Sequence, residues 1–167
     1  GLTAAEIAAR LEAATLVRAD EFLAVTRDPA AAREFDVGGT GPEGYLFPET
    51  YRFPRGLPAP ELARAMVGQF QSVWGELEPS ARDRGLPMRD VVILASLIEK
   101  ETGTPEDRPL IASVFLNRLR VGMRLETDPS VIYGLGADFD GNLRRSDLER
   151  DGPYNTYTRP GLPPTPI

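Results

Sequence analysis

The sequence has 167 residues, 41% hydrophobic and 26% charged, with a formal net charge of −6. That is enough chain for one domain with a real core, or for a small domain with an appendage, in the composition of a soluble globular protein. With no histidine and no cysteine, Ser-His-Asp and Cys-His catalysis, Cys/His metal sites and disulfides are excluded, and the acidic balance argues against general nucleic-acid binding.

Thr3-Ala4-Ala5-Glu6 is a capping box: the Thr3 hydroxyl takes the Glu6 N–H and Glu6 reaches back. Ile7, Leu11 and Ala14 continue a helical stripe. Asp20 is expected to cap a second short helix with Phe22, Leu23 and Val25, ending before Pro29, which can open a third through Phe35. Asp36 to Glu43 reads as a loop, and Gly39 to Gly44 as a linker without a phosphate-loop lysine. This is the expected seam between a small helical N-terminal region, 1–42, and a main body, 43–167.

Gly44 to Phe53 is aromatic and extended, interrupted by Pro48, so an edge strand or an irregular extended segment is expected. An amphipathic helix follows from Glu61 to about Leu77, with Leu62, Met66, Phe70 and Trp74 on one stripe, and Pro79 to Arg84 reads as a separate helical turn. Val91 to Ile98 is apolar almost all the way round a helical wheel, which predicts a buried helix from about Met88 to Thr102. The next helix should run to about Leu119, with Ile111, Val114, Phe115 and Leu119 as its apolar face. Asp128-Pro129 reads as a cap and first-turn proline, opening a short helix through Tyr133, and Ser146 as the cap of a single turn. Asp151 to Ile167 has no periodicity; its Tyr154-Asn155-Thr156-Tyr157 suits the wall of a sugar or peptide site. The fold class expected is α+β and helix-rich.

The buried helix ends in Glu99-Lys100-Glu101, which holds the only lysine of the chain. A carboxylate at a helix C-terminus opposes the macrodipole. Desolvation and a like charge nearby push further toward a raised pKa, which is how a general acid is made from glutamate. By wheel position Glu101 lies nearer Leu94, Leu97 and Ile98, and Glu99 beside Val92, Ala95 and Ser96. The pattern does not choose between them. It also admits a plain alternative in which both emerge into solvent or pair with arginines. Glu106, Glu126 and Asp128 are further acidic candidates. A Glu/Asp set in a histidine-free protein fits glycosidic bond cleavage. It also fits a Mg²⁺ or Ca²⁺ site, but Asp138-Phe139-Asp140-Gly141 lacks the rest of a calcium loop, and no metal or cofactor is expected.

Four stretches carry a resemblance: Ser96-Leu97-Ile98-Glu99-Lys100-Glu101-Thr102; Ile111 to Leu119; Gly122 to Gly134 with its Thr127-Asp128-Pro129-Ser130; and Tyr154-Asn155-Thr156-Tyr157 followed by Gly161-Leu162-Pro163-Pro164. Together with Glu43 to Tyr51 they resemble the MltG (YceG-like) endolytic murein transglycosylases, in order and at matching spacing. The resemblance implies cleavage of nascent, uncrosslinked peptidoglycan between N-acetylmuramic acid and N-acetylglucosamine, leaving 1,6-anhydro-N-acetylmuramic acid ends and terminating glycan strands. It implies Glu99 as the catalytic glutamate. Glu101, Glu106, Asn117, Glu126, Asp128, Tyr133, Tyr154, Asn155 and Tyr157 would then be substrate-binding or supporting residues. It implies action beside peptidoglycan synthases, on the outer face of the bacterial cytoplasmic membrane. The single N-terminal membrane helix and the LysM-like module of the family lie outside this sequence, and the catalytic domain is expected to be truncated at its C-terminus. A hydrolytic muramidase, a non-catalytic peptidoglycan-binding domain and a structural partner-binding module are the alternatives.

Overall fold

The structure, a computed structural model, describes residues 2–38 and 41–167. The parts of the expected loop and linker that fall on Gly39 and Thr40 lie outside the described residues. Among the described residues the fold is helical, with no strand. The expectation of an α+β fold is therefore corrected to an all-α one. The physical reason lies in residues 44–53. Pro48 removes a ladder donor, and no second extended segment pairs with this one among the described residues, its aromatic side chains packing on a helix and on one another. Tyr45 meets Phe70 edge-on at 5.1 Å between ring centroids. Tyr51 and Phe53 stack at 5.2 Å, and the Tyr51 hydroxyl donates to the Phe47 carbonyl at 2.7 Å.

The chain divides into two compact units, Gly1–Val92 and Ile93–Ile167. The first holds helices α1 (Ala4–Ala13), α2 (Ala19–Thr26), α3 (Pro29–Glu34) and α4 (Ala59–Asp83). The Thr3–Glu6 capping box is present as expected. At α2 the cap position falls on Arg18, and Asp20 sits in the first turn, bound to the Arg18 guanidinium at 2.7 Å. Ile7, Leu11, Phe22, Tyr45, Leu62 and Val67 bury themselves in one cluster, so residues 43–67 share a core with α1 and α2. Helix α4 continues through Pro79 without the expected break. Proline there leaves the carbonyl of Gly75 without its helical donor, but Gly75 is exposed, so that carbonyl is open to solvent.

Helix α5 (Met88–Glu101) begins in the first unit, where Met88 and Val92 join its core, and ends in the second. The second unit continues with α6 (Arg108–Arg120), α7 (Asp128–Leu135) and α8 (Arg145–Glu149). Ile93, Leu94 and Leu97 of α5, Phe115 of α6 and Leu125 form its core, with Ile98, Ile111, Leu119, Leu162 and Ile167 packed against them. Two positions depart from the wheel: Val114 is exposed, and Ala95, with Glu99 one turn on, faces outward. The final segment packs within this unit. Leu162 and Ile167 lie on the core, and the Ile167 N–H donates to Ser96 Oγ at 3.0 Å.

Candidate active site

The last turn of α5 sends its two glutamates to different surroundings. They are two positions apart, about 200° around the axis, so they cannot share a partner set. Arg108, at the start of α6, donates to Glu99 Oε2 at 2.9 Å, and the Glu99 side chain is 44% exposed. The Arg108 guanidinium thus sets a positive charge directly beside the Glu99 carboxylate. The desolvated setting expected for a general acid is not found at Glu99, whose carboxyl is half exposed and paired with a cation.

Glu101 has a different partner. The hydroxyl of Thr127 donates to its Oε2 at 2.8 Å. Among the described residues it forms no ion pair. Thr127 is the residue just before α7, where the expected cap was Asp128; Asp128 instead occupies the first turn. From there Asp128 Oδ1 accepts the Tyr157 hydroxyl at 2.6 Å. The Tyr157 phenol is pushed up to about 12, first by partial burial, then by its bond to Asp128 and the charges of Asp128, Glu101 and Glu126. It is therefore a donor throughout the neutral range. Glu126 holds a left-handed backbone at φ +50°. Arg118 lies 3.8 Å from its carboxylate and also donates to the Leu125 carbonyl. Arg124 donates to the Tyr157 carbonyl at 2.9 Å.

Of the residues expected from the sequence, Glu101, Glu126, Asp128 and Tyr157 thus come together. Asn155 stands behind them as a scaffold. It is 4% exposed, its amide nitrogen serves the carbonyls of Asp147, Leu148 and Arg150, and its oxygen accepts the Tyr157 N–H at 2.8 Å. Tyr133 and Tyr154 form a separate pair with ring centroids 5.0 Å apart. Tyr154 lines a cavity of about 200 Å³ with Val131, Leu135 and Asp138. Glu106 lies in an exposed 3₁₀ turn, and Asn117 on the exposed surface of α6, 3.4 Å from Arg120. None of Glu106, Asn117, Tyr133 and Tyr154 is hydrogen-bonded to Glu101. An open groove beside the cluster is lined by Arg124, Glu126, Arg145, Leu148, Glu149 and Tyr157. Among the described residues no group of three or more acidic side chains is arranged to hold a metal ion.

Sequence reasoning quoted Thr127, Ser130 and Thr156 within its motifs without giving them roles of their own, and gave Arg108 none at the site. Three are small hydroxyl residues whose burial is invisible without the fold. The available signal was Thr127 directly before Asp128-Pro129, at the start of the expected helix.

The profile of the YceG-like family matches residues 1–167. An endolytic murein transglycosylase of Bacillus subtilis is 42% identical over 126 residues, covering 75% of this chain and 35% of that protein. Another, of Streptococcus pneumoniae, is 31% identical over 153 residues, covering 86% of this chain and 28% of that protein. A crystal structure of a yceG-like protein from Listeria monocytogenes superposes with a TM-score of 0.88 at 33% identity, covering 99% of this chain and 59% of that one. The chain spans about a third of the length of the first two relatives.

Proposed function

This chain belongs to the YceG-like family, and we propose that it carries the catalytic centre of an endolytic murein transglycosylase, the activity for which its relatives are named. The substrate in this reading is the nascent, uncrosslinked glycan strand of peptidoglycan. The bond cut joins C1 of N-acetylmuramic acid to O4 of N-acetylglucosamine. A protonated carboxyl delivers its proton to that bridging oxygen as the C1–O4 bond breaks. The C6 hydroxyl of the same muramic acid closes onto C1, and its proton returns to the carboxylate. One carboxyl is acid first and base second, and no water is consumed. The product is a 1,6-anhydro end and a free 4-hydroxyl, so the strand is terminated. No enzyme nucleophile is required, which relaxes the two-carboxylate spacing of ordinary glycosidases.

The geometry supports Glu101 as that carboxyl. The observation that carries this is its single neutral partner, the Thr127 hydroxyl at 2.8 Å, at the end of a helix rooted in the core. Protonating Glu101 forfeits no ion pair. Protonating Glu99, the residue implied by the resemblance, forfeits its bond to Arg108. Asp128 and Tyr157 then fix the neighbouring wall, and the groove along Arg124, Glu126 and Tyr157 receives the sugars. Residues 43–167 carry the catalytic role. In the full-length protein one membrane helix would hold this region on the outer face of the cytoplasmic membrane, beside the synthases that make its substrate.

The test is digestion of uncrosslinked glycan strands by the full-length protein, with the products weighed. Wild type should yield anhydro ends; products one water heavier would mean a hydrolytic muramidase instead. E101Q should lower turnover by roughly 10²- to 10⁴-fold, the usual contribution of a general acid, with E99Q much milder. The reverse ranking would return the role to Glu99.

A further inference from the structure

Beneath Glu101, three buried hydroxyl residues close a ring. Thr127, Ser130 and Thr156 are each no more than 2% exposed. The Thr127 N–H donates to Thr156 Oγ1 at 3.0 Å. Ser130 Oγ donates to the Thr127 carbonyl at 2.8 Å. The Ser130 and Thr156 hydroxyls are 2.9 Å apart. A hydroxyl has one proton to give. Ser130 has committed its own to the carbonyl, so Thr156 is the donor between them; the 3.4 Å approach of Thr156 to that same carbonyl is its weaker option. The order is then Thr127 N–H to Thr156, Thr156 to Ser130, and Ser130 back to the Thr127 carbonyl.

Both backbone polar groups of Thr127 are held by that ring. The preceding residue is held too: the Glu126 N–H donates to the Thr156 carbonyl at 3.2 Å. Glu126 sits at φ +50°, a region that residues with a Cβ occupy only where their surroundings over-determine it. The one polar group of Thr127 outside the ring is its hydroxyl, and that hydroxyl donates to Glu101. Thr127 also fails to cap the helix it precedes, the ordinary use of a threonine at that place.

We propose that Thr127 is a positioning residue for the Glu101 carboxyl, clamped by Ser130 and Thr156 so that its hydroxyl holds Oε2 in one orientation toward the scissile oxygen. The inference rests on Glu101 being the proton donor. A long side chain at the end of a helix has several rotamers, and a fixed donor of this kind selects one in advance of substrate.

The test is steady-state cleavage of uncrosslinked glycan strands by the full-length protein carrying T127V, T127S, S130A, E101Q or T127V with E101Q, each checked for folding by circular dichroism and thermal melting. T127V removes the hydroxyl at nearly constant volume and should lower kcat about 10- to 100-fold, with KM within about twofold of wild type. T127S keeps the hydroxyl and should restore kcat to within a few-fold. S130A opens the ring and leaves the Thr127 hydroxyl in place; it should give an intermediate loss of kcat at constant KM, and it carries the test should T127V not fold. Adding T127V to E101Q should cost nothing further, because the group it positions is already gone. A T127V or folded S130A protein of wild-type kcat, a T127S as impaired as T127V, or a T127V loss repeated in full on E101Q each overturns the proposal. An E101Q of wild-type activity overturns the donor assignment and the positioning role together, whereas a crippled E101Q beside a normal T127V overturns the positioning role alone.

Discussion

Two residues apart on one helix turn, Glu99 and Glu101 differ in what stands opposite them. Arg108 neutralises the first, and a buried threonine addresses the second. Both partners of the Arg108 pair are about half exposed, so R108Q should change stability by less than about 1 kcal/mol, read by urea denaturation. Glycan cleavage by R108Q should stay within a few-fold of wild type; a collapse of activity would give Glu99 a larger role. Tyr157 offers a pH test. Its phenol is raised in the folded state, by partial burial first and then by Asp128, so the native protein holds that proton more tightly than the unfolded chain. The stability it contributes is fully present below the unfolded phenol value of about 10 and is lost as pH rises toward about 12. The stability gap between wild type and Y157F should be constant from neutral pH to about pH 9 and narrow above about pH 10. A gap that does not narrow by pH ~11 would contradict the raised phenol.

The elements obey local chemistry where it is strong. The Thr3–Glu6 box starts α1, and T3A should cost about 1 kcal/mol in chemical denaturation. Asp28 caps α3 through the Ala30 N–H at 2.8 Å, with Pro29 in the first turn. Helix α5 depends on its core. Leu97 is fully buried among Ile93, Leu94, Phe115 and Leu125, and L97A should destabilise the second unit by about 2–5 kcal/mol. A second consequence would follow in activity, since Leu97 lies one turn before Glu101. Helix α6 is the weakest of the wheel readings. Its buried side is set by Phe115, with Ile111 and Leu119 beside it, and Leu110 and Val114 stand exposed. Apolar residues on several faces left the wheel without one clear stripe.

At the scale of the molecule, each unit has its own buried cluster, and stability is distributed accordingly. Hydrogen exchange should be slowest at Leu62 to Val67 and Ile93 to Leu97, the buried helical segments, and fast at residues 48–58, which have no ladder or helix until Ala59. Comparable protection at residues 48–58 would mean backbone pairing that the fold does not contain. Glycine matters at one place in this frame. A Cβ on Gly41 would meet the Thr26 carbonyl oxygen at 2.0 Å, so G41A should move backbone and lower the melting temperature.

How far could the chain be read without its fold? Helix α1, the buried character of α5, the first-turn prolines of α3 and α7, and the candidate acids all follow from interactions between residues a few positions apart, which a linear sequence displays. Of the edge strand or irregular extended segment expected at residues 44–53, the fold has the irregular one, because pairing needs a partner segment and the aromatic side chains there found Phe70 and one another. The choice between the two candidate acids lay beyond the pattern for a related reason. Glu99 and Glu101 are the same residue type in one helical turn, on faces that the wheel separates but does not rank. They are told apart by Arg108, nine residues from Glu99, and by Thr127, twenty-six residues from Glu101. Local periodicity delivered two carboxyls to the end of a buried helix; the folded chain paired one with a cation and the other with a clamped hydroxyl, and that difference in surroundings makes them chemically unlike.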